Sequence, residues 1–493
     1  MDTFAQDRLP PRHLWPRLEP PPYPERLNAA VELLRHDGPA VRGETTWSYD
    51  ELDARSSAIA GALRIEPGTR VLLHSANTPE AIAAWLGILK AGGIVVATMP
   101  LLRAGEIAKV IDKAEVSHAI TEARLAEEVV RAGEVALHTF DELPVRGDFE
   151  PVDTAADDVA IIAFTSGTTG PPKGCVHCHR DLLATCDTFA RHILDPQPGD
   201  VFSGTPPLAF TFGLGGHVLF PLRFGASTAP FAKPGPEATA EAIARHGITT
   251  LFTAPTAYRA LLRTEGDFSS LHTCVSAGEP LPAGVSDAWF KKTGVRIVDG
   301  IGSTEMLHIF IASPAHEVKP GSVGRPVPGY QARIVGPDMR TLPANEIGRL
   351  AVQGATGCRY LDDPRQSTYV VDGWNLTGDA FSMDADGYFW FQARTDDMII
   401  SAGYNISGFE VEAALLEHPA VAECAVVAAP DPERGHVVKA FVVTAAQTTA
   451  KELQDHVKAR IAPYKYPRQV EFLDALPRTP TGKVQRTVLR EWA

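Results

Sequence analysis

Cysteine is scarce, with six in 493 residues, at 175, 178, 186, 274, 358 and 424. That is too sparse for a disulfide framework and points to a reducing compartment. A basic surplus is missing too: 46 Lys and Arg face 60 Asp and Glu, a net charge of −14, with no run of cations. That balance disfavours a sequence-independent nucleic-acid binder, which must neutralise phosphates. Long apolar runs are absent. The most apolar stretch, 83–102, is broken by Lys90, Gly92, Gly93 and Pro100 and predicts a buried helix followed by a strand, not a membrane span. The opening residues, Met-Asp-Thr-Phe-Ala-Gln-Asp-Arg, lack the basic-then-apolar order of a secretory leader. The expectation is a soluble cytoplasmic protein with neither nucleic acid nor membrane as a partner. No Gly-x-Ser-x-Gly occurs, which disfavours a serine hydrolase.

What is present is ordinary globular composition, 44% hydrophobic and 22% charged, sufficient for domains with sizeable cores. After a proline-rich opening that reads as an extended arm, short apolar runs at 71–73, 93–97, 159–164, 250–252, 273–275 and 295–298 alternate with helical periodicity. This predicts an α/β fold with a large N-terminal domain of mainly parallel sheets. Past Asp396 the pattern changes to a smaller α+β unit, with strands at 425–429, 440–444 and 470–473 and a helix capped by Thr449 and Glu452. The predicted domains are 1–395 and 396–493. Several apolar runs end in Gly/Ser/Thr/Pro loops, where open α/β sheets collect ligands.

The richest loop is Thr165-Ser-Gly-Thr-Thr-Gly-Pro-Pro-Lys-Gly174. Freed backbone N–H groups, threonine hydroxyls and Lys173 make a phosphate cradle. It is not a Walker loop, because Pro172 and Gly174 flank the lysine. Asp299-Gly-Ile-Gly-Ser-Thr-Glu305 follows another strand. There the Glu305 carboxylate, with the Thr304 hydroxyl beside it, suits Mg²⁺ between phosphate oxygens; a merely solvated loop carboxylate is the competing reading. Asp379, expected in a turn after Gly378, can accept both ribose hydroxyls, and Arg394 can donate to ribose or phosphate; a plain surface ion pair is the competing reading. Ser276-Ala277-Gly278-Glu279 offers a backbone face to a planar base. Cys175-Val-His-Cys-His179 matches a short haem-attachment pattern and hints at zinc. No second ligand pair with zinc-ribbon spacing exists, and the segment directly follows the phosphate loop, which disfavours both.

These motifs, with Asn375-Leu-Thr-Gly-Asp379, Arg394-Thr-Asp-Asp397 and Pro480-Thr-Gly-Lys483, resemble in order the signature loops of the adenylate-forming superfamily of acyl-CoA synthetases, adenylation domains and beetle luciferase. The arm Leu9-Pro-Pro-Arg-His-Leu-Trp-Pro16 resembles the start of 2-aminobenzoate–CoA ligases. The resemblance implies that Thr165, Ser166, Gly167, Thr168, Thr169, Gly170, Lys173, Ala277, Gly278, Glu279, Asp299, Gly300, Ile301, Gly302, Ser303, Asp379 and Arg394 bind ATP. It implies that Thr304 and Glu305 hold Mg²⁺ and that Lys483 is the main catalytic residue. It places the interdomain hinge at Asp396, and Ser401, Ala402 and Gly403 along the channel for coenzyme A. The implied reaction is attack of a carboxylate on the α-phosphate of ATP, then capture of the acyl-adenylate by a thiol. A Gly stands at 408 where the family often has Pro, which affects only the placement of the next helix start.

The acid is expected against Phe210, Thr211, Phe212, Gly213, Ile301, Gly302, Met306, His308 and Ile309, an apolar slot suited to a ring; taken singly, each Phe or Met reads more readily as core. These residues resemble the benzoate and 2-aminobenzoate branch. Where amino-acid-activating members carry an Asp, this chain has Thr211, so an ammonium would be buried unpaired. His308 reads either as a hydrogen-bonding partner of the substrate or as a satisfied structural histidine. The implied activity is an aryl-CoA ligase; an aryl-AMP ligase loading a carrier protein is the alternative, since both thiols end in the same arm. A degenerate nucleotide-binding homologue is disfavoured, because Lys173, Glu305, Asp379, Arg394 and Lys483 are all present.

Overall fold

The computed structural model describes residues 2–165, 172–233, 235–394, 397–401, 404–432, 434–479 and 482–493, without the side chains of Arg394, Ile400, Tyr404 and Asn405. The chain divides into two compact units, Met1–Ala332 with Val352–Asn375 and Arg333–Ala351 with Leu376–Ala493. The division passes through strands Tyr330–Val335, Gly348–Gly354 and Trp374–Met383.

In the larger unit, a six-stranded sheet runs in the order Ala136–Thr139, His118–Thr121, Arg70–His74, Ile94–Thr98, Val159–Thr165, Lys173–Cys178, parallel except for its last pair. A nine-stranded sheet has a parallel centre, Ile297–Gly302, Thr273–Ser276, Thr250–Thr253, Val201–Gly204, Ser227–Thr228 and Pro39–Arg42, with antiparallel edges. Every apolar run expected to be a strand is one, because each supplies the near-continuous Val/Ile/Leu/Phe stretch that a sheet covered on both faces requires.

The 83–102 stretch is the buried helix Pro79–Lys90 followed by strand Ile94–Thr98. Thr78 caps that helix through Ala81 N–H, and Pro79 opens it. Its buried Lys90 is tolerated because Nζ reaches Asp53 Oδ1 at 2.6 Å and Ser57 Oγ at 2.9 Å. No helix among the described residues is long and apolar enough to cross a membrane. The arm departs from a wholly extended reading: Phe4–Asp7 and Arg12–Leu14 form single helical turns. Its prolines from 16 onward keep the rest without helix, since each removes an N–H donor.

The smaller unit carries antiparallel strands Val421–Asp431 and Gly435–Thr444, with Gln469–Phe472 parallel to the latter. Helix Ala450–Arg460 starts at the expected Thr449/Glu452 capping box. Helix Gly408–Leu416 begins where Ser407 caps Glu410 N–H, so Gly408 in place of Pro does not displace its start.

Five histidines of the larger unit are buried: His74, His177, His179, His217 and His308. Burial pushes the first four down to about 4 and His308 to about 3. Below an ordinary value of about 6.5 the unfolded chain takes up protons that the folded chain refuses. Stability is therefore fully present above about pH 6.5 and is lost as pH falls toward 4. Urea midpoints measured from pH 8 to pH 4.5 are expected to fall steeply below pH 6 as the five rings charge, with a shallow opposite slope of at most one proton above pH 7 from the buried Asp299 carboxyl; absence of the acid-side fall would contradict the neutral burial of these rings.

Candidate active site

Strands Val159–Thr165 and Lys173–Cys178 pair antiparallel with Thr165 opposite Lys173, so both ends of the expected phosphate loop are fixed by one ladder. Ser166, Gly167, Thr168, Thr169 and Gly170 lie outside the described residues. From the strand edge, Lys173 Nζ donates to the Tyr360 hydroxyl at 3.3 Å, and that hydroxyl donates to Glu305 Oε1 at 2.6 Å. Tyr360 and Glu305 are both buried. Burial, and next the Glu305 charge, push the phenol well above its ordinary range, so it remains a donor. Nothing in the sequence singled out Tyr360: a lone Tyr in a loop has no motif of its own.

The Asp299–Glu305 segment leaves strand Ile297–Gly302 as a tight turn. Met306 N–H bonds Ser303 C=O at 3.2 Å and Leu307 N–H bonds Thr304 C=O at 3.1 Å. Leu307 has φ of 68°, a left-handed conformation that costs a branched residue about 1–2 kcal/mol. It is held by packing and by Thr356 Oγ1, which donates to Met306 C=O at 2.6 Å. From below, His177 Nε2 donates to Thr304 C=O at 2.8 Å. Burial pushes the Asp299 carboxyl up to about 8, partly opposed by the neighbouring Ser276 hydroxyl and Gly300 N–H. No group of three or more His, Cys, Asp or Glu suited to a metal exists among the described residues. One hard carboxylate at Glu305 with the Thr304 hydroxyl adjacent in sequence fits Mg²⁺, which completes its shell with phosphate oxygens and water, and does not fit an ion needing a protein cage.

Strand Thr273–Ser276 leads into Ala277 and Gly278; Gly278 has φ of 88°, and a Cβ there would meet open space, leaving its backbone face accessible. Glu279 Oε2 accepts from Thr256 N–H at 3.4 Å.

The expected acid slot is aromatic. The His308 ring is surrounded by Phe220 at 4.6 Å, Phe189 at 5.2 Å, Phe212 at 5.8 Å and Phe252 at 6.3 Å between centroids. Gly215 is required here: a Cβ would stand 2.4 Å from His308 Nε2. Neither His308 nitrogen has a hydrogen-bond partner among the described residues; backbone at Phe212 lies close without a well-formed bond. Thr211, Met306 and Ile309 are buried and Phe210 is 37% exposed. Phe189, Phe220 and Phe252 were not singled out from sequence, because helix and strand phenylalanines look like any core.

In the smaller unit, Asp379 does not occupy a turn. It lies within strand Trp374–Met383, buried, directly opposite Arg394 of strand Phe389–Arg394. The Gly378 that suggested a turn has φ of 77° and is accommodated where the ladder between these strands shifts register nearby. The pairing brings the two expected nucleotide ligands together. Lys483 is exposed on a tight loop: its N–H bonds Thr479 Oγ1 at 3.1 Å, its C=O accepts from Thr479 N–H at 2.8 Å, and Arg478 Nη1 donates to Gly482 C=O at 2.6 Å. Ser401 ends strand Ile399–Ser401; Asp396, Ala402 and Gly403 lie outside the described residues.

The signature of the AMP-binding enzymes matches residues 30–359, and that of the AMP-binding enzyme C-terminal domain matches 410–483. A benzoate–CoA ligase of Thauera aromatica is 36% identical, covering 95% of this chain and 96% of its own. An anthranilate CoA ligase, AuaEII, solved with anthranoyl-AMP superposes with a TM-score of 0.89 at 32% identity, over 96% of this chain and 98% of the other. A benzoate CoA ligase from Burkholderia xenovorans LB400 superposes with a TM-score of 0.86 at 31% identity, over 94% and 100%.

Tyr360→Phe leaves the Glu305 carboxylate buried without its donor and unties Lys173. A charged-acceptor hydrogen bond is worth about 1.5–3 kcal/mol, so Mg²⁺–ATP affinity by calorimetry is expected to fall at least about tenfold. Unchanged affinity would show that the hydroxyl is a bystander.

Proposed function

The chain belongs to the AMP-binding enzymes, and we propose from that membership that it is an AMP-forming aryl-CoA ligase. The observation that carries this is likeness to benzoate and anthranilate CoA ligases over more than nine-tenths of the chain. The acid is of benzoate type, unsubstituted or bearing a neutral ortho group such as 2-amino or hydroxyl. The uncharged aromatic surroundings of His308 and the absence of a carboxylate at Thr211 support it, and the unpartnered His308 nitrogens favour contact with the acid over a purely structural role.

ATP and CoA are co-substrates, and Mg²⁺ is held at Glu305 and Thr304, where it supplies charge neutralisation for the phosphates. One carboxylate oxygen of the acid attacks the α-phosphorus and the bond to the bridging oxygen breaks, giving aryl-AMP and pyrophosphate. The CoA thiolate then attacks the acyl carbon and AMP leaves. The chain's part is positioning and electrostatics: Thr165, Lys173 and the intervening loop hold phosphates, Asp379 and Arg394 the ribose. Lys483 faces the charge that develops at the α-phosphate. No side chain acts as a covalent nucleophile. Rotation of the smaller domain about Asp396, with the functional boundary at 395/396, lets 401–403 line the CoA channel for the second step.

ATP-dependent product formation is measured by mass with benzoate, 2-aminobenzoate, salicylate and a fatty acid, each with CoA or with a holo carrier protein. Aryl-CoA is expected; pyrophosphate release with thioester only on the carrier would replace this reading by the carrier-loading one. Lys483→Ala is expected to slow pyrophosphate release about 10²–10³-fold with the circular dichroism spectrum unchanged. Unaltered release would remove Lys483 from the mechanism.

A further inference from the structure

A glycine-rich loop presents its side chains in one arrangement only if something outside it fixes its backbone. The segment expected as a 206–216 loop is a loop only to Phe210 and continues as the helical turns Thr211–Leu214 and Gly215–Leu219; its loop part is held by two buried residues, one far away in sequence and one on those helical turns. Asn77 lies between strand Arg70–His74 and helix Pro79–Lys90. Its Nδ2 donates to Pro206 C=O at 2.9 Å and its Oδ1 accepts from Leu208 N–H at 2.7 Å. One side-chain amide thus pairs with a carbonyl and an N–H of the loop, as a neighbouring strand would. Because Oδ1 takes an N–H, the orientation of the amide is fixed, and Nδ2 has a second hydrogen to place.

That hydrogen faces His217 Nε2 at 3.1 Å, which is also 3.1 Å from Pro206 C=O. Nε2 either accepts from the amide or donates to the carbonyl. In either tautomer Nε2 is fixed between the Asn77 amide and the Pro206 carbonyl. Burial keeps His217 neutral, pushed down to about 4.

Downstream, Phe210 N–H closes a turn onto Pro207 C=O at 2.9 Å, and the short helix Thr211–Leu214 begins there. The backbone that Asn77 grips is the one from which Phe210, Thr211 and Phe212 project.

We infer that Asn77 is a positioning residue for the acid: through Pro206 and Leu208, with His217 as second anchor, it sets the wall of the slot and thereby acid affinity and ring-substituent discrimination. This rests on the placement of the acid beside the 206–216 segment. It predicts an effect confined to one of three substrates, which general loss of structure would not give.

The test is steady-state kinetics of the full-length enzyme with benzoate and 2-aminobenzoate, varying acid, ATP and CoA separately, for Asn77→Ala, His217→Phe and Phe212→Ala. Loss of the Asn77 hydrogen bonds to Pro206 and Leu208, and of its contact with His217, is expected to raise the acid KM of Asn77→Ala about ten- to a hundredfold with the KM for ATP within about twofold. The ratio of kcat/KM for the two acids should change as well. His217→Phe, which removes only the second anchor, is expected to show the same selective shift at about a third of the size or less, and it carries the test if Asn77→Ala does not fold. Phe212→Ala probes the slot itself. If it leaves the acid KM unchanged, the acid does not lie there and both the slot reading and the inference fall. If it raises the acid KM while the Asn77 and His217 variants do not, or while they raise the KM values for acid and ATP equally, the inference alone is overturned.

Discussion

The Tyr360 hydroxyl stands between an ammonium and a carboxylate, and the proposed nucleotide side of the site depends on that bridge. It ties Lys173, at the closing end of the phosphate hairpin, to Glu305, at the end of the second loop. A carboxylate as buried as Glu305 must have a donor or lose its charge. The phenol supplies one without neutralising it, which leaves the negative charge available to a divalent cation. A lysine in direct contact would have satisfied Glu305 more strongly and spent that charge.

The bridge stays in place because of the residue before it. Arg359 and Tyr360 are consecutive and point opposite ways, as in extended chain. The Arg359 guanidinium is fully buried in an ion pair with the equally buried Asp181, and the Trp15 ring lies 5.3 Å from it. Removing either partner would strand a charge in the interior, a loss of about 3–5 kcal/mol, so the backbone at 359–360 has little freedom. Gln366 adds to this: Oε1 accepts from Tyr360 N–H at 2.9 Å, and Nε2 donates to Leu14 C=O at 2.8 Å and Cys358 C=O at 3.1 Å. The proline-rich arm is thus part of the scaffold behind the nucleotide loops, anchored through residues 14 and 15.

The α/β class, the parallel strands and the loops at their carboxyl ends were legible in the sequence because continuous Val/Ile/Leu runs and Gly/Thr loops have few other physical uses. The same holds for the Thr449/Glu452 helix start, where a local hydrogen-bond pattern decides the outcome. Asp379 misled because a glycine beside an acidic residue reads as a turn by local rule, whereas long-range pairing with the Phe389–Arg394 strand holds it extended. Tyr360, Asn77 and His177 were illegible for another reason. Each acts through a contact with a residue more than fifty positions away, and no local pattern records such a contact.

In the proposed slot, specificity would come from withheld charge. Thr211 supplies no carboxylate, and His308, kept neutral by burial among four phenylalanines, supplies no imidazolium. A substrate bearing an ammonium would leave that charge buried without an ion, a cost no hydroxyl repays. A neutral ring meets only π-faces and loses nothing. The His308 nitrogens are the exception, polar atoms left unsatisfied at a cost of about 1–3 kcal/mol, and a fold tolerates that where an incoming group removes the deficit.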